Sequence, residues 1–251
     1  MYGISTSPSE SPADSPTRAP GRGDAPTLTL EQLSRLCHES EWQRQPHAAT
    51  PSGFLELDEN LPGGGWPMGA VCELMPAPEG IGEVGLLMPT LSQLARSGRY
   101  LAWIAPPYLP CASALAQRQV PLRQVLIVRT RGVQESLWAA EQALRCPAMG
   151  AVLCWPADIT DRNVRRLQLA AETGGSLGVL YRPAAAAREH SPAALRLRLL
   201  PSPDGSGLLV DIHKCRGGRT GRRLQLPLFP PSPDKGAPHA LAVHTPAAAR
   251  A

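Results

Sequence analysis

Between residues 69 and 183, short apolar runs alternate with stretches of helical periodicity, and that alternation restricts the chain to a small set of folds. Residues 71–75 (VCELM) read as a buried strand, residues 83–96 as a helix kinked at Pro89, and residues 100–105 as the next strand. A helix near residues 113–119 leads to a strand at 125–128, followed by a helical stripe of Val133, Leu137, Ala140 and Leu144. After a strand at 151–155, Thr160 caps a helix bearing Val164, Leu167 and Ala171, which Gly174-Gly175 stops before a strand at 177–181. Strands separated by helices imply a parallel sheet covered on both faces, an α/β fold. Three later runs, 195–200, 208–213 and 222–228, alternate apolar with polar residues and have turn signals between them. They predict antiparallel strands at one edge.

The ends read differently. Residues 1–26 have the Ser/Pro/Gly/Asp composition of a disordered leader and residues 230–251 that of a Pro/Ala-rich disordered tail. Between them, residues 27–48 predict an amphipathic N-terminal helix, with Thr29 and Gln32 as a capping box and Leu30, Leu33 and Cys37 on one face. A length of 251 residues with 43% hydrophobic content suits one domain with tails. The 6 cysteines make no C-x-x-C pair and have no histidine cluster beside them, so neither a zinc site nor a disulfide framework is expected. A reducing cytoplasm is the expected location. No apolar run reaches the length of a membrane span, and the polar start is not a signal peptide.

Residues 76–87 (PAPEGIGEVGLL) occupy the place of a phosphate-binding loop, between the first buried strand and a helix. Such a loop reads G-x-x-x-x-G-K-[ST]: its N–H groups cradle phosphates, the Lys reaches the β and γ groups, and the hydroxyl ligates magnesium. In register this chain has Ala77 for the first Gly, Gly82 for the second, Glu83 for the Lys and Val84 for the hydroxyl. At ~4 Å and an effective dielectric of ~20, a carboxylate facing phosphate costs roughly 4 kcal/mol per charge pair. That alone removes about three decades of affinity. Without phosphate, Glu83 near a helix N-terminus serves as the loop's own anion. The loop is expected to be empty, and no cofactor is implied.

Other candidates carry less. Gly63-Gly64-Gly65 reads as a structural turn before the core. Asp158 with Asp161 fits either a metal or a helix N-terminus, and no metal site is assigned. His213, in an alternating run, is a packed or surface residue. Net charge is +4, but residues 214–223 concentrate five basic side chains without an acidic one. Lys214, Arg216, Arg219, Arg222 and Arg223, with glycines interleaved, form a candidate DNA-binding loop. Gln225-Leu226-Pro227-Leu228-Phe229 matches the sliding-clamp peptide Q-L-[SD]-L-F at four of five positions. It reads either as a clamp-docking peptide anchored by Gln225, Leu226, Leu228 and Phe229, or as the last core strand.

Ser52-Gly53-Phe54-Leu55-Glu56-Leu57-Asp58 and Leu61-Pro62-Gly63-Gly64-Gly65-Trp66-Pro67-Met68-Gly69 resemble the start of the RecA-like recombinase core, and more closely that of the ImuA family. The resemblance runs from about residue 30 to 228. Residues 85–183, with Gln119-Val120-Pro121-Leu122 and Gly178-Val179-Leu180-Tyr181-Arg182-Pro183, are also similar to the SulA family of cell-division inhibitors. The resemblance implies a RecA-like three-layer domain over residues 49–229, with a mainly parallel central sheet, antiparallel C-terminal edge strands and a degenerate phosphate loop. The recombinase position of the water-polarising Glu matches Ala105-Pro106-Pro107, and that of the magnesium-associated Asp matches Trp155. With the Lys and hydroxyl also replaced, no ATPase activity is expected.

The ImuA resemblance implies a non-catalytic accessory protein of damage-induced translesion DNA synthesis. Its partners would be an ImuB-like Y-family polymerase homologue and an error-prone DnaE-type polymerase, with RecA, the sliding clamp and DNA as further candidates. The SulA resemblance implies instead a division inhibitor that binds the tubulin-like ring protein FtsZ. The glycine-rich start and the third group of strands favour ImuA.

Overall fold

The computed structural model describes residues 27–28 and 49–228. One nine-stranded sheet organises them, in the order β1-β6-β5-β7-β8-β4-β9-β10-β11. Its parallel part comprises β1 (Thr27–Leu28), β4 (Ala70–Pro76), β5 (Tyr100–Ile104), β6 (Val125–Val128), β7 (Met149–Cys154), β8 (Leu177–Tyr181) and β9 (Leu195–Pro201). Strands β10 (Gly207–Cys215) and β11 (Arg222–Pro227) then add antiparallel hairpin pairings beyond β9. β2 (Ala49–Thr50) and β3 (Trp66–Pro67) form a small separate ladder.

Helices cover both faces, as strands that are apolar throughout require. On one face Cys72, Leu74, Leu101, Trp103, Leu153 and Val179 join the core beneath α2 (Met88–Arg96) and α3 (Ala112–Gln117). The short α1 (Leu55–Asp58) packs against β11 on the same side. On the other face Val71, Ala102, Ile104, Val152 and Leu180 lie beneath α4 (Val133–Arg145) and α5 (Asp161–Gly174). The architecture is a three-layer α/β fold with a mainly parallel central sheet. Full burial of each such side chain stabilises by about 1.5–3 kcal/mol. Thr160 caps α5 through a reciprocal box with Asn163, and Gly175 ends it in the left-handed conformation at φ 65°. Among the described residues, no helix is long and apolar enough to cross a membrane.

Two expectations are corrected, and a third gains a second pairing. Thr27–Leu28 is an edge strand paired with Ile127 and Val128, not the start of a helix; residues 29–48 lie outside the described residues, as do 1–26 and 229–251. Pro89 does not kink a helix begun at Glu83. A 3-10 turn at Gly85–Leu87 comes first, and Pro89 sits in the first turn of α2, where its missing N–H costs nothing. β9 pairs antiparallel with β10, as the sequence predicts, and its other edge joins the parallel sheet: Cys72 to Pro76 of β4 pair in parallel with Leu195 to Leu199. Arg196 explains this placement, because its guanidinium reaches Glu73 on β4.

Glu73 is the one acidic residue in a strand otherwise apolar, and it is fully buried. Its Oε2 accepts from Arg196 Nε at 2.6 Å, and its Oε1 from Ser191 Oγ at 2.7 Å and Arg182 Nη1 at 3.3 Å. Gly65 fixes the turn before β3, because a Cβ there would stand 2.1 Å from the Thr50 carbonyl oxygen. Removing Glu73 would leave the buried Arg196 guanidinium without its carboxylate and Arg182 with Glu189 alone. Glu73→Ala is therefore expected to lose about 3–5 kcal/mol in urea unfolding; a loss below about 1 kcal/mol would show that the cluster is solvated or compensated.

Candidate functional site at the carboxyl ends of the strands

In an open α/β sheet, ligands bind outside the carboxyl ends of the strands, where loops and helix N-termini converge. Here the loop after β4 holds itself closed. Glu83 Oε1 accepts the Gly80 N–H and Oε2 the Gly82 N–H, each at 3.1 Å, so a carboxylate takes the place a phosphate oxygen would take. Ala77 donates its N–H to Leu199 O at 2.9 Å, extending the ladder instead of the cradle. Val84 packs against the core and starts the 3-10 turn. Glu83 is thus the loop's internal anion, while Ala77 belongs to the sheet ladder and Val84 to the core.

Beside the loop, three aromatic rings stand in a row on neighbouring strands. Trp155 stacks on Tyr181 with centroids 4.4 Å apart and planes 3° apart, and on Trp103 at 5.7 Å and 27°. At the position that the recombinase resemblance gives to a metal carboxylate, this chain has the stacked ring of Trp155. Burial, and then the nearby Glu83 charge, push the Tyr181 phenol well above its ordinary pKa. Ala105 turns the chain out of β5 at φ 50°. The segment that follows lines two adjoining cavities, of 320 and 460 Å³, which share Glu83, Pro107, Tyr108 and Trp155. Tyr108 is 84% exposed and Leu109 58%, among the most exposed large apolar side chains described. Sequence reading missed this surface. The signal was present in the Pro-rich run 105–110, which cannot form helix or strand and yet carries Tyr and Leu.

The other candidates are not at this site. The basic loop lies at the β10–β11 hairpin, and only part of it is open. Arg223 forms a two-point pair with Asp211, Nε to Oδ1 at 2.5 Å and Nη2 to Oδ2 at 2.8 Å. Lys214 Nζ donates to Ser191 O at 2.6 Å, and burial with neighbouring Arg216 and Arg196 lowers its pKa. Arg216 reaches Pro192 O at 3.3 Å, leaving Arg219 and Arg222 extended and exposed. An acidic strand neighbour and two backbone carbonyls thus engage three of the five, Arg223, Lys214 and Arg216.

Of the two readings of residues 225–229, the described part forms the last core strand. Leu226 and Leu228 are buried in the core, Leu226 pairs with Leu208, and Gln225 is exposed and reaches Asp204; Phe229 lies outside the described residues. A clamp could take these leucines only by peeling β11 from the sheet. Asp161 Oδ2 pairs with His190 at 2.7 Å, Asp158 is exposed, and among the described residues no three His, Cys, Asp or Glu side chains form a metal cluster. His213 is exposed on β10.

The Asp211 carboxyl is held below its ordinary pKa first by the Arg223 hydrogen bonds and then by nearby charges. A depressed carboxyl pKa stabilises the fold above the unfolded value of about 3.9, and the contribution is lost as pH falls through the folded value. Arg223→Gln is expected to raise the Asp211 midpoint in an NMR titration. An unmoved midpoint would assign the shift to Arg198 and His213 instead.

The profile of the SulA family, described as cell division inhibitor SulA, matches residues 69–178. The chain is 36% identical over 116 residues to the cell division inhibitor SulA of Edwardsiella piscicida, covering 44% of this chain and 69% of that protein. It is 34% identical over 98 residues to that of Yersinia pestis (strain Pestoides F), covering 39% of this chain and 58% of that protein. A crystal structure of SulA from Pseudomonas aeruginosa superposes with a TM-score of 0.38 at 22% identity, over 45% of this chain and 97% of that one. The matched stretch contains the Glu83 loop, Tyr108, Leu109 and Trp155, and this chain belongs to the SulA family.

Proposed function

We propose that this chain is a non-catalytic binding protein that inhibits cell division, docking on FtsZ through the surface at the carboxyl ends of its strands. The observation that carries this reading is the open Tyr108–Leu109 surface beside a loop already occupied by Glu83, all inside the stretch shared with named division inhibitors. A nucleotide site needs open N–H groups, a cation for the phosphates and a metal carboxylate. Here the N–H groups are answered, the cation is Glu83, and the carboxylate position holds Trp155. A binding protein instead needs a rigid platform bearing exposed aromatic and aliphatic anchors, which the parallel sheet and the ring stack supply.

A second reading, an accessory protein of translesion synthesis of the ImuA kind, is supported by one specific observation. Residues 61–68 and strands β9, β10 and β11 fall outside the matched stretch, yet Leu61, Trp66, Leu197, Val210 and Leu226 share its core. In that reading the added sheet carries the contacts to an ImuB-like polymerase homologue, a DnaE-type polymerase or RecA, and Arg219 and Arg222 face DNA. Both readings describe a cytoplasmic protein of the DNA-damage response without a cofactor.

Controlled expression in the native host separates them. The division reading expects filamentation, lost in a folded Tyr108→Ser, Leu109→Ser double variant, since each anchor of this type contributes about 2 kcal/mol at an interface. Normal division on expression, together with lowered damage-induced mutagenesis when the gene is deleted, would overturn it in favour of the accessory role.

A further inference from the structure

Glu83 answers the loop's N–H groups, but the 320 Å³ cavity beside it carries the wrong charge for a nucleotide. Its charged lining residues are Glu79, Glu83 and Arg182. Arg182 is committed elsewhere, to Glu73 at 3.3 Å and Glu189 at 2.7 Å, so its charge is compensated inside the protein. What remains is acidic, in a chain whose formal net charge is +4.

A second, independent feature marks the same place. Tyr181 is 5% exposed and forms part of the cavity wall, and its hydroxyl has no hydrogen-bond partner among the described residues. Buried hydroxyls without partners are uncommon, and one in a cavity wall points to a group that is supplied from outside. Tyr108, also in the wall, leaves most of its ring open. Two carboxylates, an unanswered hydroxyl oxygen and an open aromatic ring together match one chemical group. A guanidinium is planar, donates several N–H bonds in one plane and stacks on aromatic rings, whereas an ammonium is a compact, strongly hydrated point charge.

We propose that this cavity, at the carboxyl ends of β4, β7 and β8, receives an arginine side chain from an exposed segment of the protein that this chain inhibits. The guanidinium lies against Tyr108, with Glu79 and Glu83 accepting its N–H groups and Tyr181 Oη accepting a further one. The inference rests on the binding-protein reading and names the chemistry of its partner.

The test uses the full chain and the peptide acetyl-Gly-Arg-Gly-amide, with its citrulline counterpart as the uncharged isostere. Binding is followed at the Trp155 indole N–H by NMR, the resonance being assigned with Trp155→Phe. The expected result is a saturable shift with the arginine peptide and none with citrulline. Glu79→Gln and Tyr181→Phe should each weaken binding by about threefold or more, and Tyr181→Phe should leave the thermal midpoint unchanged or raised, since it removes the unpartnered hydroxyl. Equal responses to the two peptides, no saturable shift, or full affinity in both variants would overturn the proposal. Filamentation on expression without arginine-peptide binding would overturn the pocket alone and leave the division reading standing; peptide binding without filamentation would do the reverse.

Discussion

The buried carboxylate of Glu73 is the constraint on which the sheet's arrangement turns. A charge taken out of water at the centre of a seven-residue strand must be answered by hydrogen-bonded partners. Its partners come from three places: Arg182 just after β8, Ser191 in the connection beyond it, and Arg196 on β9. Arg196 also donates to Ala186 O at 2.6 Å and Glu189 O at 2.8 Å, so it ties the connection to the strand. Such a cluster adds little net stability over an apolar core, but each member is costly to remove. Its consequence is topological. β9 is held parallel to β4, and β10 and β11 follow it, so the residues beyond the matched stretch complete the fold instead of trailing from it.

The same β4 that carries Glu73 ends in the loop carrying Glu83, and the two carboxylates do different work. One organises the sheet interior; the other neutralises the N–H groups at the sheet's carboxyl edge. Ligands meet α/β folds at that edge for geometric reasons, because strand ends, helix N-termini and connecting loops converge there whatever the chemistry. Filling the anion site from within and lining its surroundings with Trp155, Tyr181, Tyr108 and Leu109 keeps the geometry while changing what it can hold. In the proposed reading the result is a surface for side chains of a protein, not for phosphates.

Much of this was legible in the residues. Strand and helix periodicity located the parallel core, Thr160 and Gly175 marked the ends of α5, and Glu83 in the Lys position announced the closed loop. Each of these is a local signal, carried by spacing or by one residue type. Apart from Pro89, whose place in the first turn of α2 is local, the misreadings are non-local. Arg196 looks like the polar half of an alternating edge strand until Glu73 is placed beside it, 123 positions away in sequence. Arg223 looks free until Asp211 pairs with it across a hairpin, and Gln225 to Leu228 resembles a docking peptide because a core strand and such a peptide share the same alternation. Thr27–Leu28 is too short to show strand periodicity at all; its pairing with β6 defines it.

The central claim is that the site has exchanged nucleotide binding for protein binding, and calorimetric titration of the purified chain with Mg-ATP tests it most directly. The expected result is no saturable heat, because Glu83 opposes phosphate and neither Val84 nor Trp155 can hold magnesium. A saturable heat with a dissociation constant in the micromolar range would contradict it, and would mean that Glu83 leaves the loop when phosphate arrives.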